Sequence, residues 1–296
     1  MILILVILVA LAIPSSLPAS ENFAVKPSSR ECFPGAYYRK AVSNPGYFTG
    51  ITGEVTLPDF TLSLDNITTA GKPVDNPSVY MGGHAPPTPE DPDGTEIDAG
   101  VSWSIIVDEN DRVTTDARAY RPYWRNENWH NGPKSVEYYY WPGDRLRMTV
   151  ECRAMDQLTL RIDLLERGER GKREAAAFSK SDVETTPTYP GQPLSTLMRV
   201  MEASGFYPGN RQEFKRVNAI DQRGRENNPV LPTTSQVYEA TWHWVDLIRG
   251  EDRIVFQAST YSDMRCPDPT MIDVKTLPNG GESITITPGG NLESGS

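Results

Sequence analysis

Thr95-Glu96-Ile97-Asp98-Ala99-Gly100-Val101-Ser102-Trp103-Ser104-Ile105 is the stretch whose reading decides the fold. Ile97, Ala99, Val101, Trp103 and Ile105 are apolar, while Glu96, Asp98, Gly100, Ser102 and Ser104 are small or polar. Successive side chains leave a β-strand on opposite faces, so unbroken period-two alternation predicts a half-buried strand. Its polar face carries two carboxylates, Glu96 and Asp98, in the arrangement that floors a ligand cleft in many β-sandwiches.

Shorter runs of the same kind lie on both sides, separated by frequent Gly (23) and Pro (25). Strands are expected within 55–64, from Val79, over 97–107 closed by a turn at 108–111, and over 213–220, 237–247 and 253–261. Leu146, Met148, Val150 and Cys152 alternate with polar residues, and Leu158, Leu160, Ile162 and Leu164 return after a turn, which predicts an antiparallel hairpin. Leu194, Leu197, Met198 and Met201 recur at helical spacing and predict one short helix ended by Gly205. Residues 166–191, charged and then Thr/Pro-rich, read as an exposed loop. Many short strands between turns indicate an all-β antiparallel sandwich or jelly roll, a single domain over 21–277, with a fraying tail over 278–296.

Residues 1–20 form an apolar run closed by small residues, read as a secretory signal peptide cut near Ala19 or Ser20. No later segment reaches membrane-spanning length, so no membrane contact is expected after cleavage. The formal net charge of −10 excludes nucleic acid as a partner. Secretion permits a disulfide; Cys32 and Cys266 are the expected pair, and Cys152 sits on the apolar side of its strand. Asn66-Ile67-Thr68 is a glycosylation sequon.

His84, His130 and His243 lack ligand partners at close spacing, and the acidic run 90–96 lacks the spacing of a calcium loop, so no metal is expected. No serine elbow, activated cysteine or Gly-rich phosphate loop is present, and no cofactor is expected. The carboxylates are the better candidates. Glu239, Thr241 and His243 share one face of their run, opposite Tyr238, Ala240, Trp242 and Trp244. If that strand neighbours the Glu96 strand in one sheet, Glu96, Asp98 and Glu239 converge with the Thr241 hydroxyl, and paired carboxyls in a partly dry cleft divide acid and base roles. Tyr120, Tyr123, Trp124, Tyr138 and Tyr140, interleaved with Arg121, offer flat rings and a guanidinium for stacking on sugars or peptide side chains.

In Ser78-Val79-Tyr80-Met81-Gly82, Ile97-Asp98-Ala99-Gly100-Val101-Ser102-Trp103, Gly143-Asp144-Arg145-Leu146 and Ala240-Thr241-Trp242-His243-Trp244-Val245, taken in that order, the chain resembles the secreted glutamic peptidases (eqolisins). The resemblance implies a concanavalin-like β-sandwich. It matches the family's glutamine to Asp98 and its glutamate to Thr241, which are unsuited to the family's peptidase chemistry: a threonine is no base at its own pKa, and an aspartate anion repels an oxyanion. Glu96 and Asp98 are also similar to the first two acids of the Glu-x-Asp-x-Glu signature of laminarinase-type glycoside hydrolases, with Gly100 at the third, whereas retaining hydrolysis needs two carboxyls about 5 Å apart. The expectation is therefore a secreted protein that binds an extracellular polysaccharide or extended peptide in an acidic, aromatic cleft. Alternatives are an acid-acting hydrolase using Asp98 and Glu239, and a structural surface or matrix protein.

Overall fold

The structure is a computed structural model that describes residues 31–63, 65–68, 72–87, 89, 91–107, 113–126, 128–178 and 192–289. The leader, the turn at 108–111 and residues 290–296 lie outside these. In chain order the strands are β1 (Ala36–Ser43), β2 (Gly50–Thr56), β3 (Asp59–Thr61), β4 (Asp75–His84), β5 (Glu96–Val107), β6 (Val113–Arg125), β7 (Trp129–Asn131), β8 (Arg145–Ala154) and β9 (Gln157–Glu166). Helix α1 (Glu169–Phe178) follows, then β10 (Ser195–Glu202), β11 (Glu213–Gln222), β12 (Gln236–Arg249), β13 (Asp252–Val255), β14 (Tyr261–Cys266), β15 (Ile272–Thr276) and β16 (Glu282–Ile286).

Two antiparallel sheets form a sandwich. One has seven strands in the order β14-β1-β11-β4-β5-β6-β7; the other has nine, ordered β10-β9-β8-β2-β12-β16-β15, with β3 and β13 also paired to β12. Alternation sets what lies between them. Ile97, Ala99 and Val101 of β5 join Leu146, Met148, Val150, Leu160, Ile162, Trp242 and Val245 in one fully buried apolar cluster. The hairpin β8–β9 forms as the sequence indicates, turning at Asp156 with φ 56°. Cys32 and Cys266 are disulfide-bonded, and Cys152 is a buried free thiol.

Three expectations are corrected. The segment with helical spacing is not a helix but the edge strand β10, paired along its length with β9. Leu197 and Met201 are buried while Met198 and Val200 are exposed. An i, i+4 pair of apolar residues satisfies period two as well as the helical period, and the open edge of β9 decides between them. The helix lies instead within the presumed loop, as α1, whose Glu, Lys, Arg and Ala residues are strong helix formers. Its Gly171 is required, because a Cβ there would overlap the Asp144 carboxylate. Asp144 in turn accepts from Gly168 N (2.9 Å) and pairs with the buried Arg167 (2.8 Å).

The third correction concerns the tail. Residues 282–286 are not frayed but form β16 between β12 and β15. Glu282 is buried and binds Arg39 (2.9 Å), Arg216 and Tyr261 Oη (2.5 Å). The arginines stand on β1 and β11 of the opposite sheet, so the ion cluster joins the two layers. Burial pushes the Glu282 pKa up, and Arg216 and Arg39 outweigh it, holding the carboxyl below its usual range.

Candidate functional site: a cleft over the seven-stranded sheet

Because Ile97, Ala99 and Val101 enter the core, Glu96, Asp98, Gly100 and Ser102 face outward from the seven-stranded sheet. The same parity sends Lys40 of β1, Lys215 of β11, Tyr80 of β4 and Tyr123 of β6 to that outer face. A cleft of about 1070 Å³ lies over it, lined by these four residues together with Glu96, Asp98, Arg121, Arg125, Trp129, Asp221 and Phe33 among others.

The centre of the floor is a cross-strand row. Lys215 pairs with Gly82, and Gly82 with Asp98, on three adjacent strands. Gly82 leaves the middle of the row open: a Cβ there would overlap the Ile97 carbonyl and come within 3.0 Å of Lys215 Cε. Lys215 therefore reaches across β4, placing Nζ 2.5 Å from Asp98 Oδ1 and in contact with Glu96 Oε1. Lys40 Nζ lies 3.2 Å from the same Glu96 oxygen, and Arg125 Nη2 lies 3.6 Å from Asp98 Oδ2. The Lys215 ammonium draws the Glu96 pKa far below the usual range, against the effect of burial and with help from Lys40. Burial pushes Lys215 down, but Asp98 and Glu96 more than restore it, so its pKa is raised.

A third carboxyl stands along the same face. Asp221 of β11 accepts from Ser78 Oγ at 2.5 Å. Burial, reinforced by the Asp98 charge and opposed by the Ser78 hydrogen bond, pushes its pKa up to about 6. Between the polar groups the floor is apolar, formed by Tyr38, Tyr80, Tyr123, Val217 and Ala219. Two stacked ring pairs complete the lining. Tyr123 stacks on Trp129 (4.2 Å, 2° between planes), and Phe33 stacks on Tyr38 (4.1 Å, 9°).

The structure separates the residues expected to converge. Asp98 and Glu96 are on the seven-stranded sheet; Glu239, Thr241 and His243 are on β12 of the other. Ala240 and Trp242 are buried in the core, so Thr241 faces outward on the far side of the sandwich. Glu239 is an exposed bulge residue with φ 54°, and His243 Nε2 lies 2.8 Å from Thr56 Oγ1. No acid pair forms between Asp98 and Glu239. Of the expected aromatic contacts, Tyr123 and Arg121 line the cleft. Tyr120 and Tyr140 are core residues, and Trp124 and Tyr138 pack against the core. The cleft is not acidic either: among its lining residues, lysines and arginines outnumber aspartates and glutamates. Lys215, Lys40 and Asp221 were missed. Each sits on an outward-facing position of a legible strand; what was hidden is the order in which the strands pair.

No family model matches this sequence, and no curated protein does. Solved structures do. Scytalido-glutamic peptidase with a transition-state analog inhibitor superposes with a TM-score of 0.50 at 7% identity, covering 85% of this chain and 98% of that one. The fold is glutamic-peptidase-like. Two further matches are scytalido-glutamic peptidase with a peptide-based analog (TM-score 0.46, 7% identity, 85% and 98% covered) and SCP-B, a member of the eqolisin family, with the tripeptide Ala-Ile-His (0.45, 8%, 86% and 98%). At such identities the likeness concerns architecture alone. Among the described residues no group of three or more His, Cys, Asp or Glu side chains could hold a metal ion, and no helix is long and apolar enough to cross a membrane.

Proposed function

We propose that this chain is a secreted protein that binds an extended polymer in the cleft over its seven-stranded sheet. The observation that carries the reading is Lys215, whose ammonium group closes on both outward carboxylates of β5. A general acid or base works best with a pKa near the operating pH and a free lone pair or proton. Glu96, drawn far below that range and bound to two lysines, has neither property. The exposed ring of Trp129 and the guanidinium of Arg125 beside it suit a held ligand better than a reacting one. The Cys32–Cys266 bridge supports an oxidising compartment, in keeping with the apolar leader.

The test is a glycan and peptide array probed at about pH 4 and about pH 7, on either side of most carboxyl pKa values. Retention is expected, lost in Trp129→Ala and kept in Thr241→Val on the far face. Absence of retention at both pH values, or retention indifferent to Trp129→Ala, would remove this reading.

A peptidase-like hydrolase is the second reading. It is favoured by Asp221, a carboxyl raised to about 6 in the same cleft as the ion-paired Asp98. Two carboxyls in contrasting environments are the pattern of divided acid and base roles. Protein hydrolysis with an acid-side optimum, abolished by Asp221→Asn, would select it.

A further inference from the structure

The cleft inverts the charge of the molecule. The chain carries −10, yet the cleft lining holds more lysines and arginines than aspartates and glutamates. Three of the five acids it holds are occupied, Glu96 and Asp98 by Lys215 and Asp221 by the Ser78 hydroxyl; Glu31 and Glu226 are the other two. Arg125, by contrast, has only loose partners, Asp98 at 3.6 Å and Glu226 at 3.4 Å, and keeps 36% of its side chain exposed. A cationic hollow in an anionic protein focuses its field on anionic ligands.

The shape of the donors narrows the class. The strands that floor the cleft, β1, β11, β4, β5 and β6, are all interior strands with neighbours on both sides. Their backbone groups are consumed within the sheet, so a peptide cannot add to them as a further strand. Across this floor recognition uses side chains; the edge strands β7 and β14, which give the cleft Trp129, Asn131 and Met264, stand at the two ends of the sheet. Trp129 and Phe33, each stacked on a tyrosine beneath, remain 43% and 37% exposed. Flat ring faces beside guanidinium groups suit sugar rings that bear carboxylates.

Resting on the proposal that the cleft holds a polymer, we infer that its ligand is a polyuronate, a polysaccharide whose sugar rings carry carboxylates. Arg125 would engage the ligand's carboxylates while Trp129 stacks on a ring. The probes are polygalacturonate, a neutral galactan and poly-L-glutamate, titrated calorimetrically against the full chain at low salt. Polygalacturonate is expected to bind, the neutral galactan to bind at least about tenfold more weakly, and poly-L-glutamate to fall with it. Added salt should weaken the interaction. Arg125→Gln should cost about tenfold or more, as the loss of a charge-assisted contact does, whereas Lys275→Gln on the edge strand β15 should cost nothing.

The outcomes separate the two readings. If poly-L-glutamate or the neutral galactan binds as well as polygalacturonate, and Trp129→Ala abolishes it, the polyuronate assignment falls and the polymer cleft stands. If no polymer in the array binds, both fall. If polygalacturonate binds equally well to Arg125→Gln and to the parent, the ligand lies elsewhere and the inference is overturned.

Discussion

Each outer face of the sandwich carries a carboxylate held by two cations, and the two sites differ in solvent. On the seven-stranded sheet Asp98 is held by Lys215 and Arg125, and the lysine is 4% exposed. On the nine-stranded sheet Glu54 is held by Arg145 (2.6 Å) and Arg147 (2.5 Å), which are 40% and 43% exposed. Lys215 approaches Asp98 as closely as the two arginines approach Glu54, while Arg125 stands off at 3.6 Å, and the surroundings of the close pairs differ. In the first case a charge is withdrawn from water at the floor of a cleft; in the second, water reaches both partners and screens the pair. Ion pairing alone therefore does not mark a functional site.

The sharpest way to break this comparison is Lys215→Met. It leaves Asp98 at the cleft floor without its closest cation, and stripping one partner from a buried pair costs about 3–5 kcal/mol. Arg125 moderates the effect, so a loss of about 3 kcal/mol is expected in urea denaturation at neutral pH. A loss below about 1 kcal/mol would put the cleft pair in the class of surface salt bridges.

Asp221→Asn comes next. The folded-state pKa of Asp221 is raised to about 6 from an ordinary 3.8. The folded state thus holds this proton more tightly than the unfolded state. Its contribution is fully present below about pH 4 and is lost as pH rises through about 6. Asparagine cannot titrate, so the variant should gain on its parent between those two values, by on the order of 2 kcal/mol. Melting temperatures followed from pH 4 to pH 7 would show it. Parallel profiles for the two proteins would mean that Asp221 is not a raised acid.

The same contrast shows what could be read from sequence. Alternation reports which residues point outward, because the pleat is a local property of the backbone. Glu96, Asp98, Thr241 and His243 were all correctly read as pointing away from the core. Sheet membership is a long-range property. β5 pairs with β4 and β6, while β12 pairs with β2, β16, β3 and β13. Nothing within either segment records those neighbours, so two opposite outer faces were merged into one wall. Register failed on β12 for a related reason. Its ladder shifts between Val237 and Ala240 and again between Trp242 and Trp244, so Val237, Ala240, Trp242 and Val245 are buried while Tyr238 is exposed. Each bulge resets the period of two. The Cys32–Cys266 bridge was legible because so few thiols left few pairings. The Lys215 row was not, since it needs β4 to lie between β11 and β5 and Gly82 to leave the crossing open.

Glu54→Gln gives the smallest expected effect and completes the contrast. Burial pushes the Glu54 pKa up, but Arg147 and Arg145 outweigh it, so the carboxyl titrates below its usual value. Its stabilisation is therefore present above the ordinary carboxylate range and is lost as pH falls through the depressed folded value. With both arginines substantially exposed, solvent reduces the pair to about 1 kcal/mol at neutral pH. Glu54→Gln should cost that much at pH 7, and progressively less as the buffer is taken below the ordinary carboxylate range and the parent's own carboxylate gains its proton. Added salt should shrink the neutral-pH difference further, while leaving the Lys215→Met difference largely intact, because buried pairs are screened much less than exposed ones. Equal salt sensitivity of the two variants would mean that the cleft floor is as wet as the open face.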